Sequence, residues 1–312
     1  MDGPGAGAQS AVKRKLPPLR PGAALRGALR EGYGARELRA DVIAGCIVGV
    51  VALPLSMALA IASGVAPEHG LATAIVAGML TALLGGSRVQ VSGPTAAFVV
   101  LMAPVSAQFG LPGLLLASAM AGAMLLGMAL LRLGRLIRFM PYPVTTGFTA
   151  GIGVVIATLQ LQGFLGLEVA PLAADAAWHE RVGALARALP TTHGADALVG
   201  AVTLAILGLW RRVSSRVPAP LVAPVVAAAL GFALERWFGL APVTLADKFG
   251  TPEAPSGIPA RPPLPLLPWA LPGAAELGGG LALVRALLPA AFAIAMLGAI
   301  ESGAQAALMA PT

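Results

Sequence analysis

The sequence predicts an all-α polytopic membrane protein that crosses a bilayer about eight times. Three observations carry this expectation. Hydrophobic residues make up 57% of the 312-residue chain and charged residues only 11%, against about 25% charged in a soluble domain. The charges are clustered: residues 42–67, 89–131, 139–167, 197–210 and 286–300 contain none. A bilayer core needs ~20 apolar residues per helix, and soluble cores almost never supply several such runs. Finally, Lys and Arg gather on alternate connections, as the retention of basic residues on the inner side of a membrane requires.

The elements follow in order. Residues 1–40 read as a basic cytoplasmic tail holding Lys13, Arg14, Lys15, Arg20, Arg26, Arg30, Arg36 and Arg39, with an amphipathic stretch near Leu25–Leu38 suited to the membrane surface. Residues 41–312 read as the transmembrane domain. Its helices are expected over residues 42–63, 70–85, 94–109, 112–131, 144–165, 197–210, 219–235 and 285–303. With the N-terminus inside, the inner connections hold Arg88, the Arg132–Arg138 cluster and the Arg211–Arg216 cluster. The outer ones hold Glu68, the balanced stretch 168–196 and the Pro-rich segment 236–284, which should be irregular. Gly45 with Gly49, and Gly147 with Gly151, form small-xxx-small pairs expected at close helix contacts.

Several chemistries find no support. Cys46 is the lone cysteine, so disulfides and Cys-based metal sites are excluded. His69, His179 and His193 lack ligand spacing, and no cofactor is indicated. The basic tail carries no interleaved aromatics for stacking nucleic-acid bases. No nucleophile elbow, HExxH, P-loop or dinucleotide fingerprint occurs, which argues against an enzyme or an ATP-driven pump.

Three segments hold candidate functional residues. In the third, Val89-Gln90-Val91-Ser92-Gly93-Pro94-Thr95-Ala96-Ala97-Phe98, a β-branched start leads to Ser92 as a natural N-cap and Pro94 at a helix start. The helix that follows is about 15 residues long, roughly 22 Å, too short for the ~30 Å hydrocarbon core. Its N-terminus would then sit inside the bilayer, offering free N–H groups and partial positive charge to an anion. An ordinary Pro-started helix near the interface fits the same spacing. In the first helix, Pro54 near the middle predicts a kink or break beside Leu55 and Ser56. Two discontinuous helices match the pattern of a midplane binding site. In the last, Glu301 lies about 24 Å along the helix from Arg285. An intramembrane carboxylate is a functional-site hypothesis by default; the other reading is a side chain snorkelling to the cytoplasm.

At these residues the chain resembles the SulP family, the sulfate permeases and solute carrier family 26. The resemblance runs from Asp41 to Ser302 through Asp41-Val42-Ile43-Ala44-Gly45, Leu53-Pro54-Leu55-Ser56-Met57-Ala58, Gly85-Gly86-Ser87-Arg88, the Ser92–Phe98 motif, Gly147-Phe148-Thr149-Ala150-Gly151 and Leu297-Gly298-Ala299-Ile300-Glu301-Ser302. Within the family it looks most similar to the bacterial C4-dicarboxylate transporter branch, DauA. The resemblance implies two inverted repeats of seven segments with a broken helix 3, of which this chain carries the first repeat plus helix 8. It implies an anion site lined by Ser92, Gly93, Pro94, Thr95, Ala96 and Phe98, faced by Pro54 and Leu55, with Glu301 as the position coupling H⁺ or Na⁺. After Ser302 the run Gly303–Thr312 departs from the family pattern, so a C-terminally truncated copy without a STAS domain is expected.

The function this implies is secondary active transport of a small anion: sulfate, bicarbonate or a C4-dicarboxylate such as succinate. The bilayer is the implied environment, in the cell (inner) membrane, and a second copy, as a homodimer, the implied protein partner. The alternatives are a membrane remnant that does not transport, and a channel-like anion conductance.

Overall fold

The computed structural model describes residues 21–86, 93, 95–131, 142–170, 172, 176–213, 217–252, 254–260, 267–275, 277–278 and 280–308. Its helices are α1 (Ala23–Arg30), α2 (Ala35–Ala62), α3 (Pro67–Leu84), α4 (Val99–Leu130), α5 (Tyr142–Leu165), α6 (Trp178–Ala188), α7 (Gly194–Val213), α8 (Ala219–Phe238), α9 (Leu245–Phe249) and α10 (Leu281–Leu308). A 3-10 turn, Ala96–Phe98, leads into α4. Among the described residues the β content is one isolated bridge, Thr251 to Ala254.

α4 bends at Gly110, whose φ of 61° and ψ of −169° leave the helical region. Glycine tolerates that backbone, and Pro112 then starts the second limb in the position where its missing N–H matters least. The expected third and fourth helices are these two limbs. Among the described residues, five helices are long and apolar enough to span a bilayer, counting Ala96–Leu130 as one. Separating the limbs and adding α5 and α7 recovers the eight segments read from sequence.

The helices pack in two groups. α2 lies against α3 and α10 against α4, while α7 packs on α8 and α5; contacts of α2 with α8 and of α4 with α5 join the groups. The tightest packing is at the α4–α10 seam, where Val105, Leu114, Ala117, Ala121, Leu287, Ile294 and Ala295 are buried. Lipid tails are as apolar as leucine, so association here rests on close van der Waals packing. Ala117 with Ala121, and Ala291 with Ala295, supply the small pairs that allow it, all essentially without exposure. Elsewhere apolar side chains face outward: Ile75, Met79 and Leu83 of α3 are about half exposed, as a lipid-facing surface demands.

Four expectations need correction. α2 runs unbroken through Pro54. Proline removes one ladder bond, and neighbouring side chains and local adjustment absorb that loss in membrane helices. Two residues on, the Ser56 hydroxyl donates to Ala52 O at 2.6 Å. The glycine pairs Gly45/Gly49 and Gly147/Gly151 face open space, because no described helix packs on those faces. Close glycine contacts between helices occur instead at Gly70, where an added Cβ would lie 2.1 Å from Ser56 O, and at Gly200, where it would lie 2.7 Å from the Phe164 ring. Finally, the stretch 168–196, read as a connection, contains α6, which meets α7 at 112°, and the segment 236–284 contains α9. Both are short amphipathic or capped turns, without the long apolar run that signals a span.

Candidate functional site

The site forms where the start of α4 meets the end of α10. Thr95 is the N-cap of the 3-10 turn, with extended backbone (φ −110°, ψ 142°), yet its side chain does not cap its own helix. Its hydroxyl instead reaches the Glu301 carboxylate, 206 positions away in sequence, lying 2.9 Å from Oε1 and 3.0 Å from Oε2. The single hydroxyl hydrogen lies between the two carboxyl oxygens, and a hydrogen bond to a carboxylate is of the stronger, charge-assisted kind. The seam between α4 and α10 fixes this meeting. A Cβ added at Gly298, one turn before Glu301, would sit 3.6 Å from the Phe98 ring and 3.4 Å from Leu125.

The helix that starts here is short. From Ala96 to the bend at Gly110 it covers about 21 Å at 1.5 Å per residue, less than a ~30 Å core. A helix start leaves its leading N–H groups without intrahelical acceptors; here the Phe98 N–H already donates to Thr95 O at 3.2 Å, and the partial positive charge of the Ala96 and Ala97 N–H groups lies beside the Thr95–Glu301 contact. The site therefore joins a helix N-terminus that attracts negative charge to an acid that already supplies it.

Beside it lies a cavity of about 370 Å³ reaching from Ser63 and His69 at one end of α2 and α3 to Gly93 and Thr95. Its wall is mostly apolar, with hydroxyls from Ser56, Ser63, Thr73 and Ser118.

The structure brings together Gly93, Thr95, Phe98 and Glu301, with Ala96 half-buried in the first turn. Ser92 and Pro94 lie outside the described residues. Pro54 and Leu55 do not line the cavity, and the Leu55 side chain is 48% exposed. The α2 residues that do line it are Leu59, Ala60 and the fully buried Ser56. The signal for Ser56 in the sequence was the pair Ser56 and Ser63, seven apart and so on one helix face within an apolar run.

The profile of the sulfate permease family matches residues 38–312. The chain belongs to the sulfate permease family. The putative sulfate transporter YvdB of Bacillus subtilis is 37% identical over 274 residues, which cover 87% of this chain and 48% of that protein. The bicarbonate transporter BicA of a Picosynechococcus species is 37% identical over 140 residues, 42% of this chain and 25% of that protein. The solved transmembrane domain of a cyanobacterial BicA superposes with a TM-score of 0.70 at 29% identity, covering 86% of this chain and 64% of that domain. This sulfate permease family member thus spans about half the length of YvdB. Its helices form the first seven-segment repeat and the eighth helix of a 7+7 transporter fold.

Proposed function

We propose that this protein is a secondary active transporter of small anions, with the anion held at the N-terminal turn of α4 and a cation neutralising Glu301. The observation that carries this is the Thr95–Glu301 contact. A carboxylate against the anion-attracting turn repels a second negative charge. In a partly desolvated site the repulsion between like charges about 4 Å apart is several kcal/mol. Anion binding therefore favours prior arrival of H⁺ or Na⁺ at Glu301, and the two move together. Alternating access carries the loaded site across the bilayer.

Sulfate and bicarbonate are the substrate candidates that the similar transporters' names support. The C4-dicarboxylates, succinate among them, come from the resemblance of the sequence motifs. Arginine asymmetry supports a cell-membrane protein with its N-terminus in the cytoplasm.

Uptake of labelled sulfate, bicarbonate and succinate into vesicles from cells producing the protein, with imposed H⁺ or Na⁺ gradients, tests this reading. One of the three should accumulate above control vesicles and lose accumulation when the driving gradient is collapsed. Uptake no greater than in control vesicles for all three anions overturns it.

A further inference from the structure

The N-terminal end of the molecule carries a surface that the anion site does not use. α2 has 28 residues, about 42 Å of helix against a ~30 Å hydrocarbon core. Its charge-free run starts at Val42, which leaves Ala35–Asp41 among the lipid headgroups.

α1 is tied at the same level. The Gly22 N–H donates to Leu84 O at 2.8 Å and the Ala24 N–H to Gly85 O at 3.4 Å, docking α1 on the C-terminal end of α3. Gly22 has a φ of 66°, and a Cβ there would meet Leu83 O at 2.7 Å, so the approach depends on glycine. α1 then shows three faces. Ala24, Gly27 and Ala28 are half-buried. Leu25 and Leu29 are 40% and 58% exposed. Arg26 and Arg30, on the adjacent face, are also exposed, as are Arg36 and Arg39 at the start of α2. The Arg26 guanidinium spends one N–H on Pro21 O and has others to offer. Of the nearby acids, Glu37 accepts from the Gly34 N–H at 3.0 Å and Asp41 from the Tyr33 hydroxyl at 2.7 Å; Glu31 follows α1 as its C-cap, its backbone N–H donating to Gly27 O.

We propose that α1 and the first turns of α2 form a binding site for anionic phospholipid, with Leu25 and Leu29 among the acyl chains and Arg26, Arg30 and Arg36 on the headgroup phosphates. The adjoining apolar and basic faces match the two chemistries of one phospholipid, at the depth where its phosphate lies. Amphipathic helices with arginine beside leucine bind membranes through both terms. Basic residues next to a span add electrostatic attraction to anionic lipid. Docking on α3 makes the bound lipid a brace between the N-terminus and the α2–α3 pair.

The test titrates phosphatidylglycerol or phosphatidylcholine into the purified chain in neutral detergent and follows the unfolding temperature, with native mass spectrometry counting retained lipid. Phosphatidylglycerol should raise the unfolding temperature, less so at high salt, and phosphatidylcholine should not. R26Q/R30Q should raise the midpoint concentration roughly 25-fold, about fivefold per arginine. R26K/R30K should keep the response, which separates loss of charge from loss of fold. K13Q/R14Q/K15Q should also keep it. Equal responses to the two lipids overturn the site. So do an unchanged midpoint in R26Q/R30Q, a loss confined to the K13Q/R14Q/K15Q variant, and an equal response to inorganic phosphate.

Discussion

The Thr95 hydroxyl lies within 3.0 Å of both carboxylate oxygens of Glu301, joining the start of the 3-10 turn that leads into α4 to the last turns of α10. A threonine at an N-cap ordinarily turns its oxygen to the N–H groups of its own helix. Here it serves the acid of another helix, and its side chain leaves the N–H groups of its own turn uncapped. Both residues half-face the space around them, so an ion can reach the pair.

Glu301→Gln should insert in the membrane normally and lose cation coupling. The amide keeps the shape and its contact with Thr95 but carries no charge to neutralise. Anion uptake measured against pH and Na⁺ should become flat. An unchanged dependence on both would make Glu301 structural.

Thr95→Val should weaken the site without dismantling it. It deletes one charge-assisted hydrogen bond, roughly 1.5–3 kcal/mol. Ala96→Asp should be more severe, placing a carboxylate in the donor turn beside Glu301. Substrate affinity at matched expression ranks the two. A suitable reference is Val225→Ile on the exposed face of α8.

Gly70→Ala should loosen the α2–α3 pair. Its methyl carbon would fall 2.1 Å from Ser56 O and 2.9 Å from the Ala60 Cβ, backbone and short side chain that cannot swing away. A cost of about 1–3 kcal/mol is expected from such overpacking. Gly45→Ala meets nothing within 4 Å and should be neutral or stabilising by up to about 1 kcal/mol. Unfolding temperatures in detergent distinguish them.

Topology has its own check. In a Cys46→Ala background, a cysteine at Pro255 should label from outside and one at Arg135 from inside. Labelling of both from one side would contradict the alternation of basic connections.

Acid should release the α9 turn. The Thr244 hydroxyl and N–H both donate to Asp247 Oδ2 at 2.7 Å, and these bonds hold the Asp247 carboxyl below its ordinary pKa. The depressed value means the contribution is complete above the ordinary carboxylate pKa and is lost as pH falls through the lowered one. Amide exchange at Asp247 and Lys248 should accelerate over that acidic range, and Thr244→Val, which deletes the hydroxyl and keeps the backbone N–H, should reduce the pH dependence.

Much of this molecule is decided by composition alone. Charge-free runs of membrane length impose helices, since backbone polar groups in lipid must be satisfied within the segment. The short helix after Thr95 and the acid at Glu301 were therefore legible one at a time, as was the bend region between the expected helices ending at Gln108–Phe109 and beginning at Pro112. Their meeting was not. Contact across 206 positions depends on which faces of α4 and α10 interlock, and near-uniform apolar helices announce no face. For the same reason the sequence pointed to Gly45 and Gly147 as contacts, whereas packing uses Gly70, Ala117 and Ala295. It pointed also to Leu55, where rotation of α2 turns Ser56 inward and Leu55 out. Hydropathy determines that a helix crosses the bilayer; only shape complementarity with its neighbours sets its rotation, and rotation decides which side chains reach the site.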